Sequence, residues 1–503
     1  MWKAGGAANS GPSDAGWATS SSWAVAIRAA ATPALRRCAW GAPELAQVPG
    51  VPLNIPLYDE PSPMAAPTGL VPMASAKISV LANGLKVVSQ SDASSIATVG
   101  VVVNTGSRFE TGANTGASYM LQLMAFTVRW GRRSHFKMVR DIERIGAQVS
   151  CTAGREQMVY GVSCLKPRVK EVVEMLAETT LEGNFVEWEL AEKKSHYAHD
   201  ISELSHNPLQ FITEKVHTAG YSNQNLGMPL LCSEKKLGNL TPEALGAFME
   251  THFVPSNMVL AGAGVEHDEL VSLAKAAFGS VPPGAKAVKP QPAKYTGGEY
   301  REVVEADVTH FGLGFEGVGW SDPDFVAACV LNMLMGGGAS FSAGGPGKGM
   351  FSRLYLNVLN KYPYAINATT STAVHSDSGV FLVHGTAASG HIGLLASVLT
   401  EEMADMGAKP FKEDEVMRAK NQLKSSLHMN LESSAILFED LGRQVATYGK
   451  HINPNDLCDQ IDAVTPAKLS AVAKRILSSP PTVVVYGDIT AVPRYDLIVK
   501  NLA

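Results

Sequence analysis

Two stretches of this 503-residue chain place side chains at spacings that chemistry can use. His196, His199 and Asp200 stand at i, i+3 and i+4, so a helix would carry all three on one face, adequate geometry for a divalent metal. His206 and His217 lie further along. The surrounding run from Glu187 to Glu203 is dense in charge, with Glu192, Lys193 and Lys194 close by, and reads better as a solvated helix face. The second stretch, residues 336–350, holds seven glycines in fifteen positions. Glycine adds no side-chain packing and costs backbone entropy to order, but it leaves N–H and C=O groups that another chain can approach closely. The candidate contacts here are Gly336, Gly337, Gly338, Ser340, Phe341, Gly344, Gly345, Gly347, Lys348 and Gly349. Gly347-Lys348 falls short of a phosphate-binding P-loop: Ser342 stands where a glycine belongs, Gly349 where Ser or Thr belongs, and a helical pattern precedes instead of a strand. A surface insertion or a peptide-contacting loop remain.

The elements that must position these residues follow from periodicity. Phe325–Met335 reads as an apolar helix entering the glycine stretch, and helical spacing resumes over Phe351–Leu356. The chain also repeats itself. Thr241-Pro242 and Thr465-Pro466 each open a helix, with Thr as N-cap and Pro at the first helical position, and they stand 224 residues apart. The apolar strands that follow, from Met258 and from Thr482, keep the same offset. A weaker match pairs strand Ala97–Val103 and helix Ala117–Phe126 with strand His310–Phe315 and helix Phe325–Met335. The reading is α+β: two homologous domains, each a mainly antiparallel sheet packed against helices, spanning 76–280 and 298–503. A Pro-containing linker, 281–297, joins them. Each copy opens on alternating strands, such as Ala76–Val88.

Composition sets bounds. An apolar fraction of 46% with 18% charged residues describes an ordinary globular chain, and no apolar run approaches the length of a membrane span. A net charge of −5 argues against a nucleic-acid partner. Cys38, Cys151, Cys164, Cys232, Cys329 and Cys458 are scattered, which suits reduced thiols better than a disulfide frame. Residues 1–40 carry Lys3, Arg28, Arg36 and Arg37 against a single acid, Asp14, with a short amphipathic stretch over Trp23–Leu35. That is the make-up of an organelle transit peptide, and residues 1–75 are expected to be transit peptide and extended arm.

From about residue 76 onward the chain resembles the pitrilysin-type metallopeptidase superfamily, and within it the alpha-subunit group of the mitochondrial processing peptidases. The resemblance rests on residues 336–357, with Ala339 where glycine is usual, and on Gly106-Ser107-Arg108-Phe109-Glu110-Thr111, which in that family precedes the helix bearing the zinc motif His-x-x-Glu-His. Aligned on Met124-Ala125-Phe126, this chain has Tyr119 and Leu123 in place of the histidines and Gln122 in place of the glutamate. A distal carboxylate ligand would fall near Asp200. Leucine cannot ligate zinc and an amide cannot serve as a base, so the resemblance implies no catalytic residue, no metal and no cofactor in this chain. It implies a substrate-recognising subunit of a metalloendopeptidase. Presequence peptides would be bound at the glycine-rich loop and presented to a zinc-bearing beta subunit, in the mitochondrial matrix. The same superfamily supplies core subunits of respiratory complex III on the matrix side of the inner membrane, with other complex III subunits as partners, and the two roles can share one polypeptide. Glu299, Glu302, Glu305 and Asp307 are candidate partners for presequence arginines.

Overall fold

The computed structural model describes residues 75–126, 133–183, 185–284, 290–340 and 350–502. The expected transit peptide, part of the linker, and Phe341, Gly344, Gly345, Gly347, Lys348 and Gly349 of the glycine stretch lie outside the described residues.

The first half runs β1 (Lys77–Val80), β2 (Lys86–Gln90), β3 (Ile96–Val103), α1 (Ala117–Met124), α2 (His135–Ile145), β4 (Gln148–Ala153), β5 (Met158–Leu165), α3 (Val169–Leu181), α4 (Glu187–Leu204), α5 (Pro208–Gly220), α6 (Pro242–His252), β6 (Met258–Ala263) and α7 (His267–Phe278). The second runs β7 (Gly298–Val303), β8 (Val308–Gly317), α8 (Phe325–Met335), β9 (Gly337–Ala339), β10 (Ala365–Val374), β11 (Gly379–Ala388), α9 (Ile392–Ala408), α10 (Glu413–Leu431), α11 (Ser434–Tyr448), α12 (Pro454–Asp462), α13 (Pro466–Leu477), β12 (Thr482–Gly487) and α14 (Tyr495–Leu502).

The strands form two six-stranded sheets, ordered β1-β2-β6-β3-β5-β4 and β7-β12-β8-β11-β10-β9. Each has one parallel pair, β2 with β6 and β7 with β12, and is otherwise antiparallel. The α+β reading holds. So does the duplication: β2, β6, β3, β5, β4 and β7, β12, β8, β11, β10 are the same order twice. Thr241 and Thr465 cap α6 and α13 alike, each hydroxyl accepting an N–H bond at 3.2 Å. The opening strands expected over Ala76–Val88 are present as well. They are two, because Asn83-Gly84 turns the chain, with Gly84 at φ +89° where a side chain is strained.

Each sheet has one face on helices of its own half. Val87, Val99 and Val101 meet α1, α3 and α7 on one, and Phe311, Leu313 and Phe381 meet α8, α9 and α13 on the other. The opposite faces are covered crosswise. From the second half, α11 lays Leu437, Phe438, Leu441 and Val445 on Val88, Val102, Val259 and Ala261 of the first sheet. From the first half, α5 lays Ile212 and Val216 on Val380, Leu382 and Val484 of the second. Close approach is bought with glycine: a Cβ on Gly100 of β3 would stand 2.5 Å from Phe438 Cζ, and one on Gly312 of β8 2.5 Å from Ile212 Cγ2.

Candidate functional site

The turn Ser107–Phe109 delivers the chain to α1, and Glu110 fixes where that helix starts. Its carboxylate accepts from the N–H groups of Gly116 and Ser118 at 2.7 and 2.8 Å, closing two of the unpaired donors of the first turn. Gly116 has φ +90°, and a Cβ there would meet the Tyr197 hydroxyl at 2.5 Å. Burial pushes the Glu110 carboxyl up to about 7, against those hydrogen bonds. A carboxyl raised in the folded state stabilises below its unfolded pKa and loses that contribution as pH rises towards 7. Glu110→Gln should therefore flatten the fall in stability between about pH 4.5 and 7, a window of up to about 3 kcal/mol, read by urea unfolding at several pH values. Equal slopes in both proteins would contradict this.

On α1, Met120, Leu121 and Met124 are buried in the core, which turns Tyr119 and Gln122 towards a cleft of about 600 Å³. Tyr119 Oη donates to Asp200 Oδ2 of α4 at 3.0 Å, and its ring meets Tyr197 edge-on at 5.0 Å. Burial, then Asp200, raises the phenol above its ordinary range. The Gln122 amide oxygen accepts from the Ala153 N–H of β4 at 2.6 Å. Leu123 packs against the core. Zinc does not fit this donor set: the phenol stays protonated, the amide oxygen is engaged, and leucine offers nothing.

The sequence placed His196 and His199 on the helical face of Asp200; both are exposed on α4, while Asp200 is half-buried against Tyr119. His206 reaches the cleft, 3.6 Å from Glu203. His217 is elsewhere, buried on α5 with its Nε2 3.1 Å from that of His375. Among the described residues no three His, Cys, Asp or Glu side chains gather as a metal cage.

The glycine stretch starts as ordered structure, which its composition concealed. Gly337–Ala339 form β9, paired with Asn367–Thr369 at the sheet edge, and the Ser340 N–H reaches the Ile366 carbonyl at 2.9 Å. Gly337 has φ +114° and lies so close to β10 that a Cβ would fall 2.0 Å from the Ala368 carbonyl oxygen. Glycine is required here by space as well as by conformation. Beyond the undescribed residues, winding resumes at Arg353 and continues as a π-helical turn over Tyr355–Leu359. The acidic candidates sit elsewhere. Glu299 and Glu302 are on β7, at the opposite edge of the sheet from β9, roughly 24 Å away at the usual strand spacing. Glu299 is paired with Arg301 at 2.5 Å and Glu302 accepts from the Tyr300 hydroxyl at 2.5 Å. Glu305 and Asp307 are exposed beyond that strand.

Sequence reasoning missed Arg108. Its side chain is fully buried and bonds Glu156, both carboxylate oxygens of Asp377 at 2.8 and 2.7 Å, and the Gln291 carbonyl at 2.6 Å. It thereby ties the turn before α1 to the β10–β11 turn of the other half. No sequence signal links positions 108 and 377.

The family model for insulinase, peptidase family M16, matches residues 86–234, and that for the peptidase M16 inactive domain matches residues 239–423. The chain is 40% identical over 451 residues to the mitochondrial-processing peptidase subunit alpha of Solanum tuberosum, covering 89% of this chain and 88% of that one. It is 34% identical over 504 residues to the subunit alpha of Homo sapiens, covering 96% and 95%.

Proposed function

The chain belongs to the M16 peptidase family, among the mitochondrial-processing peptidase alpha subunits, and on that premise we propose that it is the non-catalytic, substrate-recognising half of such a peptidase. It works in the mitochondrial matrix, holding presequences of imported precursors for a beta subunit that carries the zinc. The observation that carries this reading is the state of the three zinc-motif positions. Tyr119, Gln122 and Leu123 are each committed to another contact, so the peptide-cutting chemistry has to come from a partner. Protein dialysed against zinc-free buffer should accordingly hold far less than one zinc per chain; stoichiometric retained metal would contradict it.

What this chain supplies is a held peptide. Strand β9 ends the second sheet; its Gly337 N–H already donates to the Ser352 hydroxyl at 3.1 Å, and an extended segment added there would pair with the remaining outward groups, a β-addition that binds through the backbone with little regard for side chains. That tolerance suits a subunit receiving many different presequences. Phe341 and the glycines that follow are the further contacts assigned to the bound segment on their residue types alone.

The test is cleavage of a presequence peptide by the reconstituted alpha–beta pair, with this chain intact or lacking residues 341–349. The deletion spares β9, so the sheet edge stays intact. Assembly should be unchanged and kcat/KM should fall at least about tenfold. Cleavage indifferent to the deletion, with the chain co-purifying with cytochromes, would favour a structural core role in respiratory complex III instead.

A further inference from the structure

The duplication that gave the first half its cleft between α1 and α4 also gave the second half a cleft, between α8 and α10. It is chemically different. Where the first is lined by Tyr119, Gln122 and Asp200, the second, about 460 Å³, is lined by Phe325, Val326 and Cys329 of α8 and by Leu423 and Leu427 of α10. Trp320 and α11 close its side. We propose that this second cleft binds an amphipathic monocarboxylate, a fatty-acid-like molecule with its chain on α8 and α10 and its carboxylate at the mouth.

Size and lining support a small molecule: pockets for such ligands run to roughly 300–1,000 Å³, mostly apolar with a few placed polar groups. The Trp320 and Phe325 rings lie 5.1 Å apart, and the Arg443 guanidinium caps Trp320 at 4.6 Å, so one wall is aromatic and ends in a cation. The charges at the mouth choose the head group. Asp440 is taken by Arg443 at 3.0 Å and by the Gln444 amide at 2.7 Å. Asp322 is taken by Arg475 at 2.6 Å and by the Asp324 N–H at 2.8 Å. Lys450, exposed at the rim, has no ion pair among the described residues. The net unpaired charge facing a ligand is therefore positive, which attracts a carboxylate and repels the basic peptides assigned to the glycine stretch. Nothing in the wall suits a metal, and the half-buried Cys329 thiol, pushed up to about 11 by desolvation, stays protonated.

The experiment is calorimetric titration of the full chain with decanoate, decanol and decyltrimethylammonium, each kept below its micelle-forming range. Decanoate should bind saturably at one per chain, decanol about tenfold more weakly, and the ammonium not measurably. Val326→Trp should fill the cleft and abolish binding while the melting temperature is retained. Lys450→Glu, an exposed change that leaves folding alone, should weaken decanoate about tenfold and leave decanol unchanged. Non-saturable uptake, decanoate binding unaltered in Val326→Trp, or preference for the ammonium would each overturn the proposal.

Discussion

Arg108→Ala should lower the free energy of unfolding by about 3–5 kcal/mol, the range for breaking a buried charge network by removing one member. Among the described residues the arginine is the only cation bonded to Asp377, and its fully buried side chain leaves no room for water to replace all of its bonds. Without it, Glu156 and Asp377 would face each other across the turn that joins the halves. Glu156 also accepts from the Ser376 N–H at 2.7 Å, so its displacement would free a further donor. The loss has a pH signature. Burial alone would raise the Asp377 carboxyl, but the bonds and charge of Arg108 outweigh it and hold the group below its ordinary range. Stability from a depressed carboxyl is present above its unfolded pKa and vanishes as pH falls through the folded one. The difference between the two proteins should therefore be widest at neutral pH and narrow below about pH 4. Urea unfolding at pH 7 and at about pH 2.5, below both pKa values, measures it. A loss under about 1 kcal/mol, or one independent of pH, would mean that the network positions the turn without stabilising it.

Phe438→Ala should cost a comparable 3–5 kcal/mol or so, by a different route. Phe438 is 3% exposed, and its ring fills the hollow over Gly100 and Gly161 in the middle of the first sheet. Truncation leaves a cavity that neither strand can close, because β3 and β5 are already paired along eight residues. The effect should be felt in the first half although the substitution is in the second. Limited proteolysis should show faster cutting between residues 75 and 280, together with a lower melting temperature. Unchanged cutting there would mean that α11 is not what seals that sheet.

The duplication was legible because its markers are local: a Thr cap, a Pro behind it and an apolar strand, set by rules that reach only four or five residues. That Tyr119, Gln122 and Leu123 stand together was legible for the same reason, as three positions on one short helix. Long-range partnership was not. The apolar face of α11 would look the same whichever sheet it covered, and only Gly100, set within a valine-rich strand, hinted that something large must approach from outside. The glycines at 336–338 read as part of a loop, yet 337 and 338 are strand, because the tight approach to Ala368 that excludes a side chain is invisible without the neighbouring strand. The pairing of Asp200 with Tyr119, and not with the histidines beside it, depended likewise on where α1 comes to rest.

The crossed helices also set an order of events as the chain is made. The strands of the first sheet are complete once Ala263 has been synthesised, but Val88, Val102, Val259 and Ala261 gain their cover only when Tyr448 has followed. Until then a valine-rich sheet face stays open to any other apolar surface nearby. Helix α5 waits in the same way for a sheet not yet built. Neither half can finish alone, so the molecule closes in a single late step, when the last quarter of the chain arrives.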